Sequence, residues 1–308
     1  MAIGLPGNCS DKRHGVAPQC SIAMFTQIKS KDVPVCDLET IRKLAQGGHV
    51  YEQNQLGIAS VLAISPELNT QMAVDWFTKS ARQGYAPAQV NLGVLNANGW
   101  GMPQSYAQAL YWFESAAEQH YARAYYNLGI LYLNGTGVRQ DYELAARYFR
   151  LGAAAGDTSA QTNLGYIYDR GLGVAPDAQR AVEWYRTAAE HGEALAQNDL
   201  ADMYLRGIGI PQDDAQAFHW FQLAAQQGQP AASIKLGYML AEGRGTRKDV
   251  EAGYQWVLAG TLAGDHRGKE LLDSLARQLT RAQREHATKR AHEMREGNDE
   301  QLSATLQP

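Results

Sequence analysis

Two patterns of apolar positions alternate along the chain, and each has the spacing of an amphipathic helix. In residues 122–157, a first apolar stripe that includes Leu128 and Tyr132 ends at a pair of glycines. A second stripe that includes Phe149 follows and ends at Gly156. Because glycine readily adopts the left-handed geometry that terminates helices, these stops predict a helix–turn–helix hairpin.

This hairpin pattern recurs every 36 residues. Most hairpins contain a Leu-Gly step. The second residue of this step, or its equivalent, stands at 57, 93, 129, 165, 201 and 237, without an insertion or deletion. An aromatic ladder has the same period and comprises Trp76, Trp112, Tyr148, Trp184, Trp220 and Trp256. One hairpin cannot bury both of its faces, so successive hairpins must stack and share a core, with the aromatic ladder between them. The pattern therefore predicts an all-α solenoid.

The period also predicts the limits of the solenoid. We expect an irregular or disordered extension over 1–36, a solenoid over 37–265, helical caps over 266–296 and a disordered tail over 297–308. Within the solenoid we expect a capping half repeat at 37–49, then six repeats at 50–85, 86–121, 122–157, 158–193, 194–229 and 230–265. The first of these is degenerate, because Ala63 and Ser65 replace its glycine pair.

Composition excludes some classes of function. The formal net charge of −4 argues against nucleic-acid binding, which requires a basic surface. The sequence contains no apolar run of 18 residues, so it predicts no membrane-spanning helix. The three cysteines, Cys9, Cys20 and Cys36, precede the repeats. Either a disulfide joins Cys20 to Cys9 or to Cys36, or all three are free thiols. No apolar signal segment is visible near the start, so the compartment stays open, with the cytoplasm slightly favoured over export.

Sequence motifs for catalysis or for metal binding are missing. The chain has no HExxH, Walker or GxSxG motif, and its eight histidines have no ligand spacing. The Gly-x-Gly pairs lack the lysine of a phosphate loop and are interpreted as repeat turns. We therefore expect no catalytic residues, no cofactor and no metal.

The residues of one unit also resemble a known family. Its small residues, its Leu-Gly step, its Gly-x-Gly-Val turn and its closing aromatic pair are similar to the Sel-one-like repeat (SLR) family of tetratricopeptide-type α-hairpins. The residues that carry the resemblance are Ala122, Ala124, Leu128, Gly129, Tyr132, Gly135, Gly137, Val138, Asp141, Ala145, Tyr148, Phe149 and Ala153. The resemblance implies a right-handed α-solenoid with a concave groove.

The resemblance also implies a function. Members of this family are mostly adaptors and assembly factors, so we expect a non-catalytic scaffold for a protein or peptide partner, with its oligomeric state open. A cysteine-rich branch of the family, with a disulfide in every repeat, has been linked to penicillin binding. A cell-envelope enzyme or a β-lactam or peptidoglycan binder is the alternative, although no repeat of this chain contains a cysteine.

Candidate contact residues follow by analogy with tetratricopeptide grooves. Positions 2, 5, 9, 12 and 13 of the first helix would point into the groove, and an exposed turn tryptophan would extend the contact surface. The candidates are Trp100, Arg123, Tyr126, Asn134, Tyr166, Arg170, Asn198, Asp202, Arg206 and Tyr238. Tyr and Arg are the residue types favoured at interface hot spots.

Several of these positions have a second interpretation. Arg170 and Arg206 can bind an acidic group together, or Asp169 and Asp202 can neutralise them. Trp100 can instead fold back over the next turn. The Asn ladder at 91, 127 and 163 can bind a peptide backbone or join neighbouring hairpins. His120 replaces a turn glycine, so it either adopts left-handed geometry or alters the turn.

Overall fold

A computed structural model describes residues 38–62 and 69–304, with side chains described as far as residue 294. Every regular element in these ranges is helical. The α-helices are α1 Leu38–Gln46, α2 Val50–Val61, α3 Thr70–Arg82, α4 Ala86–Asn98, α5 Tyr106–Ala117, α6 Ala122–Asn134, α7 Tyr142–Ala154, α8 Thr158–Arg170, α9 Ala178–Glu190, α10 Ala194–Arg206, α11 Asp214–Gln226, α12 Pro230–Glu242, α13 Val250–Leu262, α14 Lys269–Ala276 and α15 Arg281–Ala304. The three cysteines, the extension over 1–36, and Ala63 and Ser65 lie outside the described residues.

The helices form six consecutive hairpins, which confirms the predicted all-α solenoid. We call the first helix of each repeat its A helix (α2, α4, α6, α8, α10 and α12) and the second its B helix (α3, α5, α7, α9, α11 and α13). Each B helix packs against the A helix of its own repeat, and those before the last also pack against the A helix that follows. The A helices α6 and α8 are in contact, and side-chain hydrogen bonds connect α4 to α2 and α12 to α10. We therefore call the side on which the A helices lie the inner face of the solenoid.

A glycine of the A helix allows the B helix to approach closely in five of the six hairpins, and Ala201 takes its place in the fifth repeat. A Cβ atom on Gly93 would lie 2.5 Å from a ring carbon of Phe113, and one on Gly129 would lie 2.6 Å from Phe149. The fully buried aromatic ladder is therefore one residue later than the predicted Trp/Tyr ladder. The predicted ladder is partly buried at the seams between repeats, where Trp220 packs against two neighbouring core clusters.

Each B helix begins at a side-chain cap, and the caps also follow the 36-residue period. In every case a side-chain oxygen accepts a hydrogen bond from a backbone N–H two or three residues later. The capping residues are Asn69, Ser105, Asp141, Asp177, Asp213 and Asp249. This ladder fixes the residue at which each B helix begins.

His120 adopts left-handed geometry with a φ of 58°, which decides between its two interpretations. It is the one non-glycine residue with a positive φ in the described part of the chain. Its ring nitrogen Nδ1 lies 2.9 Å from the hydroxyl of Tyr125, so the side chain contributes a hydrogen bond at the turn.

Helices also close both ends of the described solenoid. At the N-terminal end, Ile41 and Ala45 of α1 pack with Leu56 of α2. At the other end, α14 and α15 pack against α13, and Ala287 and Ala291 are fully buried. The last helix continues through Ala304, beyond residue 296 where the sequence pattern places the end of the cap. Within the described ranges, no helix combines the length and apolar character needed to cross a bilayer.

Candidate functional site: the inner face of the solenoid

The inner face changes character along the chain. At position 9 of the A helices, Ile58, Val94 and Ile130 are at most 3% exposed. The same position holds Tyr166 and Asp202, which are partly exposed, and then Tyr238, which is 38% exposed. Side chains of the first three repeats therefore fill the inner face, whereas α8, α10 and α12 leave theirs accessible. We call this accessible part the open face.

Two predicted contact residues lie inside the closed part. Tyr126 is 5% exposed, and its ring centroid lies 6.1 Å from that of Phe149. The guanidinium of Arg123 lies 5.1 Å from the centre of the Tyr126 ring and its Nε is 3.0 Å from Asp157 Oδ2. Arg123 therefore connects α6 to the start of α8, whereas Tyr126 packs within its own hairpin, and both side chains are largely buried.

Burial is the largest influence on the pKa values of the two acidic residues near Arg123, Asp157 and Glu193. Desolvation raises the pKa of Asp157, although Arg123 and two backbone N–H groups oppose the rise. Desolvation likewise raises the pKa of Glu193, and Arg123 again opposes it. Asp157 also accepts a 2.8 Å hydrogen bond from the backbone N–H of Ala160 and so caps α8. This arrangement is that of a buried structural ion pair.

The other candidates of the first repeats lie at the edge of the solenoid. Trp100 is partly buried and packs against the core cluster that contains Phe77 and Leu95, so it folds back over the turn. Asn134 is the last residue of α6 and is partly buried.

On α8, Arg170 forms an exposed ion pair with its neighbour. Its Nε lies 3.2 Å from Asp169 Oδ2, and the guanidinium lies 5.8 Å from the centre of the Tyr166 ring. The Arg170 side chain is 55% exposed, so solvent screens the pair and little stability comes from it. Asp169 neutralises Arg170 as one of the two interpretations predicts, yet both side chains remain accessible.

On α10, the neutralising pair differs from the predicted one. Asp202 pairs with Lys235 of α12 rather than with Arg206. Lys235 also donates a 3.2 Å hydrogen bond to the side-chain oxygen of Asn198, which is 6% exposed. Arg206 is exposed as the last residue of α10, the position that Arg170 has in α8. Asn198, Asp202 and Lys235 thus form a polar link between α10 and α12.

The Asn ladder is mainly structural. Asn91 donates a 2.9 Å hydrogen bond to Asn54 of the preceding repeat, and Lys235 makes the same step to Asn198. The amides of Asn127 and Asn163 instead donate to the carbonyl oxygens four residues earlier in their own helices. The ladder position is therefore directed at its own helix or at the preceding repeat.

Two charged residues of this ladder were not among the predicted contacts. Lys235 was missed because the analogy with tetratricopeptide grooves does not include position 6 of the A helix. Asp199 occupies the same position one repeat earlier, and burial raises its pKa from 3.8 to about 7. In the sequence, these two positions are distinguished by a change of residue type, because Asp199 and Lys235 replace the Asn of the earlier repeats.

No group of three or more His, Cys, Asp or Glu side chains in the described ranges has a metal-binding arrangement. The open face instead combines two tyrosines, two arginines and the Asp202–Lys235 pair. Side chains of this kind can make hydrogen bonds, ion pairs and aromatic contacts with a peptide segment.

The sequence matches a known protein family. A family model described as the Sel1 repeat matches residues 61–85, 86–121, 122–157, 158–193, 194–229 and 230–265. No curated protein matches the chain.

Two solved structures are similar. A Sel1 repeat protein from Oxalobacter formigenes is 30% identical with a TM-score of 0.65, over 78% of this chain and 98% of that one. A protective antigen of uropathogenic Escherichia coli strains, which displays an SLR fold, is 29% identical with a TM-score of 0.62, over 83% of this chain. The match spans 64% of that antigen. The chain described here belongs to the Sel1 repeat family.

Proposed function

We propose that this protein is a non-catalytic interaction scaffold that binds a segment of a partner protein on the open face. The observation that carries the proposal is the change at position 9 of the A helices, from buried Ile130 to accessible Tyr166, Asp202 and Tyr238. The ring of Tyr238 and the accessible part of Tyr166 remain in contact with solvent in the solenoid, and a partner segment can cover both.

The proposed site is narrower than the predicted groove. It comprises Tyr166, Arg170, Asp202, Arg206 and Tyr238 on three successive A helices. Arg123, Tyr126, Asn198 and Trp100 are assigned to folding, because each is enclosed by its own or the neighbouring repeat. Asn134 lies at the edge, next to the closed part of the inner face.

The proposal favours a scaffold over an enzyme because Sel1 repeat solenoids are commonly used for protein interaction. Neither the open face nor the two similar structures lends support to the cell-envelope alternative. A protein or peptide segment remains the class of partner that suits an elongated inner surface of this kind.

The proposal is tested with two accessible tyrosines and a matched control. Tyr166→Ala/Tyr238→Ala removes two aromatic side chains from the open face, and Tyr111→Ala removes a 56% exposed tyrosine from the B helix α5. Each variant is used as bait for affinity capture from the native host, followed by quantitative mass spectrometry. Circular dichroism and thermal unfolding verify that every bait is folded.

A partner that binds the open face is recovered with wild type and with Tyr111→Ala. Its recovery is expected to fall at least about tenfold with the double variant, since loss of a hot-spot side chain typically costs more than 1 kcal/mol. Equal recovery with all three folded baits would sink the assignment of the open face.

A further inference from the structure

Asp199 interrupts a ladder of amides at the centre of the open face. The equivalent residues of the three preceding repeats are Asn91, Asn127 and Asn163. Asn127 and Asn163 each donate an N–H to the carbonyl oxygen four residues earlier, at 3.0 Å and 2.8 Å. An ionised carboxylate has no proton to donate, so Asp199 can take over this role towards Leu195 only in its protonated form.

Asp199 is partly exposed at the inner face, and few polar groups of the protein reach its carboxylate. A single hydrogen bond is assigned to its carboxylate, from the Asn198 amide at 2.9 Å. By the register of the ladder, position 6 faces position 5 of the preceding repeat, where Thr162 donates its hydroxyl to Thr158 at 3.0 Å. The Thr162 hydroxyl is therefore engaged within its own helix.

Charges from the neighbouring helices also act on Asp199. On α12, Lys235 favours the ionised form, but it is shared with Asp202 and Asn198. Asp202, which lies on α10 with Asp199, and Asp169 on α8 oppose the ionised form. Tyr185 on α9 adds no charge, because burial raises the pKa of its hydroxyl well above the ordinary value.

We propose that Asp199 is a proton-operated switch at the inner face: with the proton bound, Asp199 completes the amide ladder, and without it the packing around α10 loosens. Loosening follows because every state that hydrates the carboxylate is favoured once the charge is present. Ionisation also makes the open face more negative. That this regulates partner binding rests on the proposed function.

The pH window follows from the folded and unfolded protonation of this group. The pKa of Asp199 is 3.8 ordinarily and about 7 in the folded protein, so the folded state binds the proton more tightly. Stability from this group is therefore fully present below about pH 4 and is lost as the pH rises through about 7. Above pH 8 the loss is complete.

The decisive variant is D199N, which inserts the residue that the ladder itself uses. At each pH, the thermal midpoint of D199N is subtracted from that of wild type. This difference is expected to fall by about 3 to 6 °C between pH 5 and pH 8.5, because only wild type loses the contribution of Asp199. The difference removes the contribution of the histidines, which both proteins share. D75N is the matched control, because Asp75 is an exposed residue of α3 in the first repeat, and it should retain the wild-type slope.

Two further measurements need no partner. Carbon-13 NMR of the aspartate carboxyls should show Asp199 titrating near pH 7, and a midpoint below 5 overturns the proposal. Amides of α10 should exchange hydrogen faster at pH 8 than at pH 6, after correction for intrinsic rates, in wild type and not in D199N. A midpoint difference that is constant with pH, or equal exchange in both proteins, also overturns it. These results are independent of the capture experiment, so the switch and the scaffold function can fail separately.

Discussion

At the scale of single residues, glycines permit two different close approaches. Gly129 lies under the ring of Phe149 within one hairpin, whereas the second glycine of each turn contacts the preceding repeat. A Cβ atom on Gly173 would overlap the backbone of Tyr142 and Glu143. Since Gly173 also has a φ of +68°, both the space and the backbone conformation require glycine there.

Substitutions at two of the turn glycines should therefore lower the free energy of unfolding by different amounts. Gly173→Ala should lower the free energy of unfolding by roughly 2 to 4 kcal/mol, because backbone strain adds to the overlap between repeats. Gly156→Ala is the matched control, because Gly156 has a φ of +87° but no atom within 4 Å of an added Cβ. It should lose only about 1 to 2 kcal/mol. Urea unfolding measures both, and equal losses would contradict the contact between repeats.

At the scale of the helix, glutamines connect the repeats through a second ladder. Gln53 donates to the carbonyl oxygen of Ala45, and its own side-chain oxygen accepts a 2.8 Å hydrogen bond from Gln83. The Gln89–Gln119 and Gln197–Gln227 pairs are joined in the same way, each at 2.8 Å. The third repeat departs from the ladder, with Tyr125 bonded to His120 in its place.

The ladder is incomplete at Gln161, whose side-chain oxygen is buried without a hydrogen-bond donor. His191 stands where the other repeats have the donating glutamine, and its Nδ1 bonds the carbonyl oxygen of Thr187 at 2.7 Å. The neutral ring then carries its proton on Nδ1 and cannot donate from Nε2.

His191→Gln is therefore expected to stabilise the protein by about 1 kcal/mol, because it supplies the missing donor. Gln227→His is the reverse change and should cost about 1 to 3 kcal/mol by leaving Gln197 unsatisfied. Thermal and urea unfolding at pH 8 compare the two variants. A loss of stability in His191→Gln would contradict this account of the ladder.

At the scale of the whole molecule, the core is a series of overlapping clusters. One cluster extends from Tyr126 to Met203, and the next from Ala201 to Met239. Each cluster joins neighbouring repeats, so every repeat is stabilised mainly by the repeats beside it.

A chain of this kind tolerates removal of a complete period. Deletion of residues 86–121 joins Tyr85 to Ala122, which reproduces the native Tyr121–Ala122 junction. The shortened protein should fold cooperatively, with nearly the same helicity per residue and a lower thermal midpoint. Deletion of 86–103 leaves α5 without its A helix, so it should lower the helicity per residue and broaden the unfolding transition. Circular dichroism and scanning calorimetry separate these results, and identical behaviour of the two deletions would contradict the modular core.

By itself the sequence determined the architecture. The 36-residue period, the turn glycines and the Leu-Gly steps predicted the hairpins and the family, because a solenoid needs only contacts between neighbouring repeats. Contacts of this short range recur with the sequence period and can be seen in a single chain.

Only the tertiary structure decided which inner positions are accessible. Tyr126 and Tyr166 occupy positions 5 and 9 of the same groove pattern, yet the first is buried against Phe149 and the second remains partly exposed. Likewise Asp202 pairs with Lys235 of the next A helix, and Trp100 folds onto the core. Burial and ion pairing depend on the volumes and charges of side chains from several repeats at once, and the period of one repeat does not contain that information.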